Sequence, residues 1–296
     1  MSKLIIVIGT LGLFFGLDAC RVNETIKNEG TSSIFWKISG PEVNGVSYLY
    51  GTIHITDGRV FEYGDTVSKA FESAEQLAVE VEMDKVNPGT VMSLMFMKDT
   101  TLDMLLTEEE YAKLEKVYEE LTGASLETAK GIKPFFISAN MVQAVIPKDK
   151  SVPLDLDFMQ KARKEDKEVK GLETLDEQIG LIDDLSYKAQ AKMLVESIDE
   201  VDELKEQMNK MVEAYLSMSS DKLLELMDDP SLPKEFMEKL LNERNKIMVE
   251  RMIPEIKNKS TFVAVGAAHL FGDDGIVKML QDRGYTVEPI HFEFKK

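Results

Sequence analysis

Two short stretches far apart in the sequence share one form, an apolar run that ends in Gly-x-x-His. The first runs from Gly51 to His54, and the second runs from Gly266 to His269, 215 positions later. An apolar β-rich run followed by glycine is typical of a strand that ends in a sharp turn. In open α/β sheets, ligands bind in the crevice beyond the strand ends. The repeated pattern predicts two strands that end at one sheet edge and a site shared by both histidines; two unrelated turn histidines are the alternative.

The patterns along the rest of the chain predict an α/β fold. Runs typical of strands lie at 34–38, 46–50, 76–83, 169–172, 261–265 and 286–294. Helix signals separate them, and from about residue 177 to 252 nearly all signals are helical. We therefore predict one α/β domain over residues 34–296, with a central sheet built from N- and C-terminal segments, flanking helices and a large helical insertion at about 177–252.

The N-terminal residues predict an export signal. Lys3 is followed by an apolar stretch that ends at Leu-Asp-Ala-Cys, and Cys20 is the only cysteine of the chain. Residues 1–19 resemble the signal peptide of a bacterial lipoprotein, in which the cysteine receives the lipid. We therefore expect lipid anchoring at Cys20, a polar flexible tether at 20–33, and a place in the bacterial cell envelope. Inner and outer membrane stay open, and a secreted protein with a free thiol is the alternative.

The charge balance excludes one class of partner. The chain has 53 acidic and 35 basic residues, a formal net charge of −18. A strongly acidic protein repels polyanions, and the sequence has no basic patch interleaved with aromatic residues. We therefore expect no binding to nucleic acid.

Two carboxylates lie near the end of the predicted strand at 76–83. Glu80 and Glu82 alternate with apolar residues, so a continuous strand would point both to one side. Divalent ions accept mixed imidazole and carboxylate ligands. These glutamates are therefore candidates to complete a histidine site, and a solvated face of an edge strand is the alternative.

Three further polar residues leave alternative interpretations open, and a fourth receives a single assignment. Asp155 stands where an extended segment enters a helix, so it is either a site residue or an N-cap. Glu173 follows a predicted strand, and its alternative is a charge in the first turn of a helix. Arg244, followed by Asn245, either clamps a substrate carboxylate or orients a catalytic acid, and an exposed helical arginine is the alternative. His291 alternates with apolar residues, and we assign it to the wetter face with no catalytic role.

Other catalytic templates are missing from the sequence. It has no Gly-x-Ser-x-Gly elbow, phosphate loop, Gly-x-Gly-x-x-Gly fingerprint or His-Glu-x-x-His motif. The sole cysteine is the first residue of the predicted tether, which argues against a papain-like mechanism.

These segments together resemble the TraB/PrgY/GumN family, which is similar to the Tiki metalloproteases and to the erythromycin esterase/ChaN-like superfamily. The resemblance runs in order from about residue 34 to 290. The segments that carry it are Tyr48-Leu49-Tyr50-Gly51-Thr52-Ile53-His54, the strand at 74–82, Gly171-Leu172-Glu173-Thr174 with Gln178, Arg244-Asn245, and 262–272 with 284–287.

The resemblance implies a divalent metal ion, with manganese or cobalt favoured and zinc as a further candidate. The implied metal ligands are His54, His269 and Glu80, and with Arg244 they form the implied catalytic set. The implied substrate-binding or supporting residues are Glu82, Asp155, Glu173, Asn245, Gly51 and Gly266. The expected function is that of a metal-dependent hydrolase acting on peptides. The alternative is a non-enzymatic module that binds a peptide, a small signalling ligand or a metal in the same crevice.

Overall fold

A six-stranded sheet organises the part of the chain that the computed structural model describes, which is residues 33–198, 201–227 and 234–295. The strands are β1 (Phe35–Ser39), β2 (Ser47–Thr52), β3 (Gln76–Val79), β4 (Glu168–Gly171), β5 (Thr261–Gly266) and β6 (Thr286–Pro289), in the spatial order β4-β3-β5-β2-β1-β6. The four strands from β4 to β2 are mutually parallel, and β1 runs antiparallel to both β2 and β6. The predicted α/β class and the pairing of N- and C-terminal segments are confirmed.

Helices flank the sheet and fill the long connection between β4 and β5. They are α1 (Gly64–Ser73), α2 (Pro88–Met95), α3 (Leu102–Leu105), α4 (Glu108–Thr122), α5 (Pro134–Val145), α6 (Leu154–Lys164), α7 (Leu175–Asp183), α8 (Tyr187–Ile198), α9 (Val201–Leu216), α10 (Ser220–Met227), α11 (Lys234–Met237), α12 (Arg244–Asn258) and α13 (Ile276–Asp282). A π-helical segment, Glu238–Glu243, joins α11 to α12. The described elements between β4 and β5 are all helical, as predicted for the insertion.

Local sequence signals start several of these helices. Thr107 and Thr174 each form a capping box with the glutamate three residues later, which satisfies the first free amides of α4 and α7. Pro134 occupies the first turn of α5, where its missing N–H costs nothing. Gly123 ends α4 in the left-handed conformation that favours glycine. The cap at Thr174 matters for the site because it begins α7 directly after Glu173.

Two predicted strands are shorter in the structure. The strand predicted at 76–83 ends at Val79, and the chain continues into the 3-10 turn Met83–Lys85. The strand predicted to reach residue 294 ends at Pro289, so His291 follows it and is exposed. Alternating residues beyond a strand end still match the strand pattern, which is why the sequence overextends both strands.

The sheet is buried on both faces. All six residues of β5 and all four of β3 are buried, as expected of parallel strands covered by helices on either side. On one face, rings of Phe35, Tyr50, Phe158 and Phe262 pack at centroid distances between 5.2 and 6.2 Å. On the other face, α12 packs against the sheet. Because β2, β3, β4 and β5 run parallel, their carboxyl ends meet at one edge of the sheet.

The helical insertion is attached close to this edge. Tyr215 on α9 is fully buried, and its hydroxyl donates to the carbonyl oxygen of Gly51 at 2.8 Å. Within residues 33–198, 201–227 and 234–295, no helix has the length and apolar character needed to cross a membrane. The predicted signal at 1–19, the tether up to residue 32 and Cys20 lie outside the described residues.

Candidate functional site

The two histidines and Glu80 lie together at the carboxyl edge of the sheet. His54 follows β2, Glu80 directly follows β3, and His269 ends the 3-10 turn after β5. The Nε2 atoms of His54 and His269 are 3.8 and 4.0 Å from Glu80 Oε1, too long for hydrogen bonds. All three side chains are buried. The repeated Gly-x-x-His pattern thus brings its two histidines to one carboxylate.

The glycines of the repeated pattern have different tasks. A Cβ on Gly51 would lie 2.9 Å from the Cα of Ala267, so Gly51 allows the two turns to pack closely. A Cβ on Gly266 would lie 3.2 Å from Glu80 Oε1 and 3.7 Å from His54 Nε2. Gly266 therefore keeps the space between the imidazoles and the carboxylate open.

Glu80 is held as a fixed carboxylate. Its Oε1 accepts from the Gly266 amide at 2.7 Å, and its Oε2 accepts from Arg244 at 2.7 Å and Gln178 at 3.0 Å. Burial alone would raise the pKa of Glu80, but Arg244 and the histidines outweigh it and hold the pKa well below its usual range. Glu80 is consequently a weak proton acceptor, which favours charge or metal binding over general-base catalysis.

Arg244 joins Glu80 to Glu173. Its Nε donates to Glu173 Oε1 at 2.9 Å and its terminal nitrogen to Glu173 Oε2 at 2.7 Å, a two-pronged contact that the guanidinium geometry suits. Arg244 is 2% exposed, so the exposed-arginine interpretation is wrong. Glu173 is also buried and precedes the helix cap at Thr174, so it is not a first-turn charge. Burial raises the pKa of Glu173 although Arg244 opposes the shift.

His269 is oriented by Asn245. The Asn245 side-chain amide donates to the carbonyl oxygen of Asp274 at 2.7 Å, so its oxygen faces His269 Nδ1, also at 2.7 Å. Nδ1 must therefore carry the proton, and Nε2 is left with a lone pair on the Glu80 side. Burial, followed by the charge of Arg244, lowers the pKa of His269 to about 3. This imidazole is neutral at physiological pH.

His54 has a different electrostatic environment. Its Nδ1 lies 3.0 Å from Asp155 Oδ1, and its carbonyl oxygen accepts from Gln143 at 3.2 Å. Burial lowers the pKa of His54, but Asp155 and then Glu80 outweigh it and raise the pKa to about 10. The helix N-cap interpretation of Asp155 is wrong: α6 begins at Leu154 after Pro153, and the Asp155 carboxylate contacts His54.

Glu82 contacts different residues from those that contact Glu80. Because β3 ends at Val79, the two glutamates do not extend from one strand face as the sequence predicts. Glu82 pairs with Arg163 at 2.9 Å and Lys85 at 2.6 Å, and it accepts from the Gly171 amide at 3.3 Å. These contacts join Glu82 to the neighbouring loop and to α6.

The sequence profile of the TraB/PrgY/gumN family matches residues 34–289. The chain belongs to this family. The zebrafish (Danio rerio) protein named metalloprotease TIKI2 is 22% identical over 354 residues, covering 94% of this chain and 66% of the relative. The zebrafish metalloprotease TIKI1 is 23% identical, covering 92% and 65%, and that of Xenopus tropicalis is 23% identical, covering 90% and 63%.

This TraB/PrgY/gumN protein therefore spans slightly less than two thirds of the length of these curated relatives. No solved structure matches the chain. The relatives are distant, but all three are named metalloproteases, which indicates peptidase-like hydrolases.

The site of this family member has donor types that suit a divalent cation. Among the described residues, His54 Nε2 and His269 Nε2 are buried without a hydrogen-bond partner, and Glu80 Oε1 retains a lone pair beside its amide contact. Because the raised pKa leaves His54 protonated near neutral pH, its Nε2 must release a proton before it can bind an ion. The adjacent cavity offers about 20 Å³ to the centre of a water molecule, room for one water or ion. Within the described ranges, however, no group of three or more His, Cys, Asp or Glu side chains is arranged as a metal site. The donor atoms and the open space fit a divalent ion, but the described side chains do not close around that space as a complete ligand cluster.

Gln178 is the site residue that sequence reasoning left out of the site. It is fully buried, lines the cavity and donates to both Glu80 and Glu173, at 3.0 and 3.2 Å. Two signals for it were available: the family resemblance already included Gln178, and the capping box at Thr174 places Gln178 in the first turns of α7, just after Glu173.

We expect the two histidines to give the metal-free protein opposite pH dependences of stability. His54, whose pKa rises from 6.5 to about 10, adds stability below pH 6.5 that is lost as the pH rises toward 10. His269, whose pKa falls to about 3, adds stability above pH 6.5 that is lost as the pH falls toward 3. Each slope is at most about 1.4 kcal/mol per pH unit. Urea unfolding in chelator from pH 5 to 9 checks this with His54→Gln and His269→Gln; two variants with parallel profiles would contradict it.

Proposed function

We propose that this protein is a metal-dependent hydrolase that cleaves peptide bonds, exported to the bacterial cell envelope and anchored there through a lipid on Cys20. The single observation that carries the hydrolytic part is the pair of buried, unpartnered Nε2 atoms on His54 and His269, which face the same Glu80 oxygen. Unpartnered buried polar atoms are costly, so such a pair calls for a ligand. The relatives are named metalloproteases, which supports a metal ion as that ligand.

In this proposal, His54, His269 and Glu80 hold the ion. A divalent cation there would supply Lewis-acid polarisation of the scissile carbonyl group. Asn245 orients His269 through a hydrogen bond to Nδ1, and the Asp155 carboxylate lies 3.0 Å from the Nδ1 of His54 as an ion-pair partner, so both Nε2 atoms face the proposed ion-binding space.

Arg244 and Gln178 contact Glu80 and not the proposed ion. Both donate to Glu80 Oε2, so they fix the carboxylate and keep it ionised. Because the Nε and one terminal nitrogen of Arg244 already contact Glu80 and Glu173, we assign Arg244 to positioning and not to holding the substrate. Glu173 balances the charge of Arg244 inside the protein.

We expect calorimetry on the full-length chain in detergent to show one bound Mn²⁺, Co²⁺ or Zn²⁺ ion. His54→Ala and His269→Ala should each weaken binding at least about 100-fold, more than the loss of a residue that only supports a ligand. The matched control is His291→Ala, because His291 is exposed and lies outside the site.

Hydrolysis is tested on the same samples with a quenched fluorescent peptide library. Cleavage that stops on chelation and returns with the ion supports the peptidase. Ion binding with no cleavage of any peptide would favour the binding module, and absence of ion binding by the unmodified chain would overturn the proposal.

A further inference from the structure

An open groove lies directly outside the buried cavity. It has a volume of about 410 Å³, within the range of small-ligand sites, and lies between the 3-10 turn Met83–Lys85 and helix α6. Met83, Leu156 and Met159 line both the groove and the cavity that contains His54 and Glu80. These three side chains therefore form the wall between a space for one ion and a space for a larger ligand.

The shared wall is apolar and adaptable. Two of its three side chains are methionines, whose unbranched thioethers rotate easily and pack against irregular apolar groups. Met159 is 5% exposed, while Met83 and Leu156 are partly exposed on the groove side. A ligand with an aliphatic side chain can pack against this wall, and rotation of the methionines would open the way to Glu80.

Among the described residues that line the groove, one cation has no ion-pair partner. Arg163 is paired, since its Nε contacts Asp84 at 2.7 Å and its terminal nitrogen contacts Glu82 at 2.9 Å. Lys164, the last residue of α6, lines the groove, is exposed and has no ion-pair partner among the described residues. A surplus cation at this position in a chain of net charge −18 favours a ligand with a carboxylate.

We propose that this groove is the substrate entrance and that it binds a peptide segment with an aliphatic side chain followed by an acidic residue. The aliphatic side chain packs on the wall of Met83, Leu156 and Met159, and the acidic side chain lies beside Lys164. The inference deepens the proposed function, on which the role of the adjoining cavity rests, and assigns it a substrate class.

The test measures peptide binding separately from cleavage. The full-length chain is labelled with ¹³C at the methionine methyl groups and kept in chelator. It is then titrated, with NMR detection, with capped Ala-Ala-Leu-Glu-Ala-Ala or Ala-Ala-Leu-Lys-Ala-Ala. We expect the methyl signals of Met83 and Met159, assigned with Met83→Leu and Met159→Leu, to shift on binding. The glutamyl peptide should bind up to about fivefold more tightly, the range of an exposed ion pair. Lys164→Glu should reverse this preference, whereas Lys188→Glu on α8, an exposed position that does not line the groove, makes the same charge change and should preserve it.

The inference is overturned if neither methyl signal shifts, or if Lys164→Glu leaves the preference unchanged. The same peptides are then incubated with Mn²⁺ to keep the two proposals apart. Shifts and a Lys164-dependent preference without cleavage support the groove and count against the hydrolase. Cleavage without shifts at Met83 and Met159 supports the hydrolase and overturns the groove as its entrance.

Discussion

Arg244→Met is expected to lower the free energy of unfolding by about 3–5 kcal/mol, the cost of removing one partner from a buried ion pair. Arg244 contacts two buried carboxylates, Glu80 and Glu173, and methionine fills a similar space without a charge. Both carboxylates would then lack their common cation. For a domain of this size, we expect the melting temperature to fall by about 10 °C.

Urea unfolding followed by circular dichroism measures this loss. Arg251→Met is the matched control on the same helix, because Arg251 is 43% exposed and its pair with Glu177 is worth at most about 1 kcal/mol. Arg244→Met combined with Glu173→Gln should be more stable than Arg244→Met alone, since one uncompensated charge has been removed. Equal unfolding midpoints for Arg244→Met and the unmodified chain would show that the guanidinium is not the buried counter-charge.

The position of the histidine site was accessible from the sequence because backbone topology determines it. The Gly-x-x-His pattern marks two strand ends, and parallel neighbouring strands present their carboxyl ends at the same edge. Glu80 follows β3 and joins the histidines for the same reason. In such cases the residue type and its place after a strand suffice for the prediction.

The sequence did not show which residues each polar side chain of the site contacts. Asp155 reaches His54, and Arg244 reaches Glu80 over a separation of 164 residues, so these contacts depend on how distant helices pack. A helical pattern shows which apolar residues face the core, but it does not distinguish an exposed arginine from one that meets a buried carboxylate. Glu82 shows the converse error: its alternation with Glu80 fits a strand, yet the backbone turns away after Val79.

Gly266→Val is expected to weaken cation binding at least about 100-fold, with Gly266→Ala intermediate. At Gly266 the backbone φ is −53°, which any L-residue can adopt, so the substitution causes no backbone strain. The added Cβ would instead lie 3.2 Å from Glu80 Oε1 and 3.5 Å from the His269 ring. The valine methyl groups would then fill the space where we propose that the ion binds. Calorimetry with Mn²⁺ measures the loss.

Gly51→Ala is the matched comparison because it adds one methyl group to the other Gly-x-x-His segment. There the Cβ would meet the backbone of Ala267 at 2.9 Å, so we expect a stability loss of about 1–3 kcal/mol from overpacking. The paired result separates the two glycines: position 266 controls access to the donor atoms, whereas position 51 controls the packing of the two turns. Undiminished cation binding by Gly266→Val would place the ion outside the space between Glu80 and the histidines, and the ligand assignment would then be wrong.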